Sequence, residues 1–297
     1  MGHRVGSRWD WRFATVPIRV VEMTLPRPII TLTTDFGLAD SYVAQMKGAI
    51  LSINAEAVIV DLSHHIPPQD LLRAASCVGE AYARFPKQTI HVVVVDPGVG
   101  SRRTAVALEA DEHRFVAPDN GVLSEIVRCC GNVRIVELAT TRFWRHPVSH
   151  TFHGRDVFAP VAAHWSLDVD LLEFGPQLER PLRRLEIPVA TRHADALEGR
   201  VLWADAFGNL ITNIDDQQLP APGRENLSVE VAGHRITGVH HFYAEAPEGE
   251  LLALVGSSGR LEIAVCQGSA LETLNCSESP QVRVTGFDSS SQKTETA

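Results

Sequence analysis

The strongest constraint on this chain is an alternation that begins after Pro28. A short apolar, β-branched run gives way to a polar loop, then to apolar residues at helical spacing, then to another apolar run. Ile29–Thr33 leads into Thr34-Asp35-Phe36-Gly37, where the glycine permits a sharp turn. Asp40 or Ser41 can cap a following helix, whose buried face is spelled by Val43, Met46, Ile50 and Ile53. Val58–Leu62 is the next strand, and after His64-His65-Ile66-Pro67-Pro68 a second helix runs from about Asp70 to Phe85 through Leu72, Ala75, Val78 and Tyr82. Ile90–Val95 reads as a strand buried on both faces. Such a pattern predicts an α/β fold with a mostly parallel central sheet and helices on its faces.

Further strands near Thr104–Glu109 and Val133–Leu138 flank a short helix over 122–129, and another helix is expected over 156–165. The stretch from Gly175 to Gly199 is rich in Pro and Arg and reads as a connection. Beyond it, Gly199–Trp203, Leu210–Ile214, Leu227–Val231, Leu251–Val255 and Leu261–Val265 are short strands between turns, as in a smaller β-barrel-like domain. The expected organisation is an N-terminal extension (1–28), an α/β domain (29–175), a linker (176–199), a C-terminal β domain (200–284) and a disordered tail (285–297).

With 27 Lys+Arg against 36 Asp+Glu the formal charge is −9, which argues against a nucleic-acid partner. No apolar run reaches the ~18 residues needed to span a bilayer, so no membrane role is expected. Residues 1–28 carry several arginines, interrupted by Trp9-Asp10-Trp11, and lack the apolar core of an export signal. The five cysteines (Cys77, Cys129, Cys130, Cys266 and Cys276) contain no C-x-x-C pair. Neither a disulfide framework nor a zinc knuckle follows, and a cytoplasmic location is expected.

In an open α/β sheet, ligands bind beyond the carboxyl ends of the strands. Three polar segments follow successive strands: Asp35, Asp61 to His65, and Asp96-Pro97-Gly98-Val99-Gly100. The last resembles a dinucleotide fingerprint only in part, because Arg103 stands at the third glycine position and a strand follows. P-loop and G-x-S-x-G motifs are absent. What remains is Asp96 with the cations Arg102 and Arg103, which a loop salt bridge would equally explain. In Thr151-Phe152-His153-Gly154-Arg155-Asp156, Asp156 is placed to cap a helix and His153 to move a proton in a cleft. A metal-dependent hydrolase is a rival reading, weakened by the lack of H-E-x-x-H and by the adjacency of His64 and His65, so no metal site is expected. Asp205-Ala206-Phe207-Gly208-Asn209 and Gly256-Ser257-Ser258-Gly259 read first as β-turns.

Taken together, TLTTDFG (31–37), DLSH (61–64), DPGVG (96–100), APDNG (117–121), FHGRD (152–156), FGN (207–209) and SSGRLEIAV (257–265) resemble the S-adenosylmethionine hydroxide adenosyltransferase family, relatives of fluorinase and chlorinase. The likeness runs from Ile29 to about Gly268. It implies hydrolysis of S-adenosyl-L-methionine to adenosine and methionine without a cofactor, in a homotrimer with sites between subunits. By the same resemblance Asp96, Arg103 and His153 form the catalytic set and Asp35 receives the ribose hydroxyls. Asp40 and Ser41 lie near the methionine portion, and Phe152 belongs to the binding site. Asp205 and Asn209 meet the methionine amino-acid group, Phe207 packs on adenine, and Ser257 and Ser258 meet the methionine carboxylate or nearby groups. A fluorinase-like site carries Tyr in place of Asp96 and Tyr-Ser in place of His153-Gly154, which favours water over halide here. Gly256 departs from the family's usual Asn. A protein that binds the same ligand without turnover, and a halogenase, are the alternatives.

Overall fold

The structure, a computed structural model, describes residues 27–275 and 279–287. Cys276, the tail from residue 288 and all but the last two residues of the expected N-terminal extension lie outside the described residues.

The first sheet is built from β1 (Ile29–Thr34), β2 (Val58–Ser63), β3 (Ile90–Val94), β4 (Ala105–Ala110), β5 (His113–Pro118) and β6 (Val133–Glu137), in the order β2-β1-β3-β5-β4-β6. β2, β1, β3 and β5 are parallel, and β4 runs antiparallel to both its neighbours. Helices α1 (Tyr42–Ile53) and α4 (Ala159–Trp165) cover one face, where Met46, Ile50, Phe158 and Trp165 are buried with the inward side chains of β1 and β3. On the other face α2 (Leu71–Ala81) and α3 (Ser124–Cys129) bury Ala74, Val78 and Ile126 against Val93, Leu108 and Phe115. Full burial of each large apolar side chain contributes roughly 1.5–3 kcal/mol, so both faces are firmly held. The expected α/β fold is therefore present.

The order β2-β1-β3 has a direct consequence for function. The chain leaves β1 toward one side and returns across it to β3, so the crevice at their carboxyl ends is a topological switch point. Asp35 follows β1 and Asp96 closely follows β3.

The second sheet comprises β7 (Thr191–Arg192), β8 (Ala196–Ala204), β9 (Leu210–Asp215), β10 (Ser228–Val231), β11 (His234–Thr237), β12 (Leu251–Val255), β13 (Arg260–Val265) and β14 (Gln281–Thr285). Its order is β11-β10-β14-β8-β9-β13-β12, with β7 on β8, and every pairing is antiparallel. A bridge between His240 and Leu254 links its two ends, so the sheet is a nearly closed barrel around Leu197, Val229, Ile263 and Val282. A short helix, α5 (Ala270–Thr273), packs beside it.

Four strands, β5, β7, β11 and β14, are additional to those read from the sequence, and the two-residue β7 falls within the stretch expected to be a linker. Cys77, Cys129, Cys130 and Cys266 are free thiols. Among the described residues no helix is long and apolar enough to cross a membrane.

Candidate active site

A cleft of about 460 Å³ opens at the switch point, lined among others by Asp35, Tyr42, Gln69, Asp96, Phe152 and His153. Behind Asp96 and His153 lies Arg103, almost wholly buried at 6% side-chain exposure, as is Asp96 at 4%. The Arg103 guanidinium donates from Nε to Asp96 Oδ1 at 3.0 Å and Oδ2 at 2.9 Å, and from Nη2 to Oδ2 at 2.5 Å. The same Nη2 donates to His153 Nδ1 at 2.9 Å. Guanidinium groups have no acceptor, so His153 Nδ1 must offer its lone pair, and the neutral ring carries its proton on Nε2. Burial, and then the positive charge of Arg103, lower the His153 pKa below the ordinary imidazole value.

Local chain geometry holds the three together across 57 residues of sequence. Gly100 has φ +76°, and a Cβ there would lie 2.2 Å from the carbonyl oxygen of His150. Only glycine lets the 96–100 turn press against the segment that carries His153. From the other side Asp156 braces that segment. Fully buried, it accepts from Arg155 Nε at 2.7 Å and Nη2 at 2.8 Å, and from the backbone N–H of Ser149 at 2.9 Å. Burial works against the Asp156 carboxylate, but these donors keep its pKa below the usual range. Its expected role as a helix cap is thereby corrected: the amide it receives belongs to the preceding loop, and the helix instead opens with a π turn at Gly154–Phe158 before α4. Ser41 precedes α1, yet neither its side chain nor that of Asp40 supplies a capping hydrogen bond, because Ser41 Oγ accepts from Gln45 Nε2 at 2.9 Å.

Asp35 Oδ2 accepts from the backbone N–H of Gln69 at 2.9 Å. Phe36, Tyr42 and Phe152 form an edge-on aromatic group with ring centroids 5.3 to 5.8 Å apart. Phe36, Tyr42 and Gln69 were not singled out as site residues from sequence. The DFG motif contained Phe36, whereas Gln69, held at φ +65°, carries no local signal of that conformation.

The remaining expected residues stand elsewhere in the single chain. Asp40 and Ser41 are exposed at the start of α1 and are not among the cleft's lining residues. In the β8–β9 turn, Asp205 Oδ1 accepts from the N–H groups of Phe207 and Asn209, and Oδ2 from Asn209 Nδ2, all at 2.9 Å. Phe207 at its tip is 80% exposed. Ser257 and Ser258 line a separate cavity with Glu80, Glu125, Arg128 and Arg260. A Cβ on Gly256 would fall 1.6 Å from Glu262 Oε1, so the Glu262 carboxylate occupies the space that a side chain at 256 would need. No group of three or more His, Cys, Asp or Glu placed to hold a metal ion occurs among the described residues.

The fold and site define a two-sheet protein whose buried carboxylate–guanidinium–imidazole chain backs a cleft at an α/β switch point. Family models for the SAM hydroxide adenosyltransferase N-terminal and C-terminal domains match residues 30–175 and 199–283. The chain is 40% identical to an (R)-S-adenosyl-L-methionine hydrolase of Salinispora tropica, covering 88% of this chain and 98% of that protein. It is likewise 40% identical to an (R)-S-adenosyl-L-methionine hydrolase of Thermus thermophilus, covering 87% and 99%. A crystal structure of a Thermotoga maritima conserved protein superposes with a TM-score of 0.81 at 33% identity, over 86% of this chain and 99% of that one. The chain belongs to the SAM hydroxide adenosyltransferase family.

Proposed function

We propose that this protein hydrolyses S-adenosyl-L-methionine to adenosine and L-methionine, by attack of water on the ribose 5′ carbon. The observation that carries the reading is the buried Asp96–Arg103–His153 chain at the cleft, since ligand binding alone needs no such arrangement. The substrate's sulfonium makes methionine a neutral thioether leaving group, so no acid is required. The new bond joins the water oxygen to C5′, the C5′–S electron pair passes to sulfur, and the water proton passes to the Asp96 carboxylate.

Arg103 acts only as a donor, and His153 Nδ1 is committed to it, which leaves the second lone pairs of the Asp96 carboxylate as acceptors for the water. Neutral His153 keeps the guanidinium fork in place without adding a positive charge beside the sulfonium. Positioning the reactants accounts for up to about 7–11 kcal/mol, and a held base for a further 10²–10⁴-fold. Asp35 takes the ribose hydroxyls through charge-assisted hydrogen bonds, with Phe152 on the cleft wall and Asp40 and Ser41 toward the methionine. A carboxylate at 96 repels halide, which disfavours halogenation.

The exposed Phe207 turn, with Asp205 and Asn209, and the Ser257-Ser258 turn complete the site from a neighbouring copy in a homotrimer. S-adenosylmethionine is the substrate and no cofactor takes part. The setting is the cytoplasm, and the overall charge of −9 suits a cationic substrate.

Incubation with S-adenosylmethionine in oxygen-18 water tests the reading. Methionine and adenosine labelled at the 5′ hydroxyl are expected. Recovery of intact substrate from a protein that binds it points instead to a binding protein, and unlabelled adenosine refutes attack by water at C5′.

A further inference from the structure

The DLSH motif at 61–64 is not used by the chemistry above, yet its histidine is 97% buried directly beneath the loop that presents Asp35. β1 and β2 pair in register from Ile29 and Val58 to Leu32 and Asp61, then slip, so that Thr33 meets Ser63. A bulge of this kind redirects the chain. Here it carries His64 alongside the 34–37 turn, and the Gly37 N–H donates to the His64 carbonyl at 2.7 Å.

The side chains continue the connection. His64 Nε2 lies 3.0 Å from Asp61 Oδ1, and the other oxygen of Asp61 accepts from Lys47 Nζ at 2.6 Å. The approach to Asp61 is oblique, since Nε2 has no well-aligned hydrogen-bond partner among the described residues. A carboxylate only accepts, so a neutral His64 carries its proton on Nε2 and takes the Thr34 hydroxyl hydrogen on Nδ1, 2.8 Å away. Thr34 Oγ1 in turn accepts the Phe36 N–H at 3.3 Å. Asp35 sits between these two anchored residues, with its Oδ2 held by Gln69.

We propose that His64 is a positioning residue for nucleoside binding: through Thr34 it fixes the turn that aims Asp35 at the ribose hydroxyls, and it touches no reacting atom. This rests on the proposed reading of Asp35 as the ribose-binding carboxylate. The bond to Thr34 comes from the ring nitrogen attached to Cγ, and the contact with Asp61 from the far nitrogen. Two amide substitutions therefore separate them: His64→Asn offers an acceptor where Nδ1 stood, while His64→Gln reaches only toward Asp61.

The test is steady-state kinetics with S-adenosylmethionine together with adenosine and 2′,3′-dideoxyadenosine as binding probes. His64→Gln should raise KM about five- to tenfold with kcat within about twofold, and His64→Asn should restore KM. Thr34→Val removes the same bond from the strand side and should reproduce the His64→Gln effect, even where a histidine variant fails to fold. The wild-type preference for adenosine over the dideoxy nucleoside should shrink by the same factor in His64→Gln. Equal loss of affinity for both nucleosides, or rescue by Gln and not by Asn, overturns the proposal. Wild-type turnover with an unchanged KM in His64→Gln and Thr34→Val overturns it alone. A wild-type protein that leaves S-adenosylmethionine intact and binds no adenosine overturns the parent reading and this one with it.

Discussion

Arg103 Nη2 donates to His153 Nδ1 at 2.9 Å, and this contact fixes which nitrogen of the neutral imidazole carries the proton. A protonated ring would turn an N–H toward a guanidinium that can only donate, so the cation is disfavoured. Burial, with the Arg103 charge second, lowers the His153 pKa, so the neutral form persists as pH falls through the ordinary value of 6.5. In a profile of kcat/KM against pH, the acidic limb assigned to His153 is expected below 6.5. A limb centred at or above that value contradicts the assignment.

Asp96 is the acceptor partner of the same fork, and Asp96→Asn separates chemistry from folding. The amide keeps the shape and one acceptor for Arg103, but it loses the charge and turns an NH2 into the cleft or against the guanidinium. Turnover should fall by about 10²–10⁴-fold while the dissociation constant for substrate changes little. Stopped single-turnover assays beside equilibrium binding measure both, and near-normal turnover removes Asp96 from the mechanism.

How much of this was legible beforehand depends on the range of the interactions. β1, β2 and β3 were readable because each is a continuous apolar run closed by a polar loop, and their common edge followed from the parallel arrangement. β5 was not. It is reached through a tight hairpin in which Asp111 and Glu112 both take positive φ, with no glycine to announce the turn. The turn between β10 and β11 does contain a glycine, Gly233 at φ +79°, but its first position is Ala232 at φ +48°, where the sequence gives no sign of a left-handed residue. β14 went unread although Gln281–Thr285 carries a signal: the buried Val282 and Val284 alternate with the exposed Gln281 and Arg283, the period of two expected of a strand. The meeting of Asp96 and Arg103 with His153, 50 residues beyond the arginine, is set by tertiary packing, and only the family resemblance pointed to it.

A different histidine contributes to acid stability. His91 is fully buried on β3, bonded through Nδ1 to Thr31 Oγ1 at 2.8 Å and stacked on Phe115. Burial, with His113 beside it, pushes its pKa down to about 3. The unfolded chain takes up a proton near 6.5 and the native state does not, so this residue's contribution is intact above 6.5 and is lost as pH falls toward 3. By pH 5 the difference is about 2 kcal/mol. His91→Asn keeps a group near Thr31 but does not titrate. Urea unfolding at pH 7.5 and 5.0 should show a smaller pH-dependent loss in the variant, by about that amount. Identical losses in the two proteins count against a neutral buried His91.

Chelation should have no effect. Arg103 supplies the positive charge at Asp96, and no three-ligand group was found among the described residues. Full turnover is expected in excess EDTA, and loss restored by a divalent ion returns the metal-dependent reading.

The last prediction concerns the separation of the two halves of the proposed site. Asp96 and His153 line a cleft in the first sheet's crevice, whereas Phe207 stands 80% exposed on a turn of the barrel. If that turn serves the cleft of another copy, Asp96→Asn and Phe207→Ala damage complementary halves. Each variant alone should be strongly impaired. Co-refolded in equal amounts, they should regain activity in those sites that draw an intact cleft from one chain and an intact turn from the other, about a quarter of all sites for random cyclic assembly. Sedimentation analysis should find a trimer in the active fraction. No gain on mixing, with mixed trimers demonstrated by mass spectrometry, places both halves of each site in one chain.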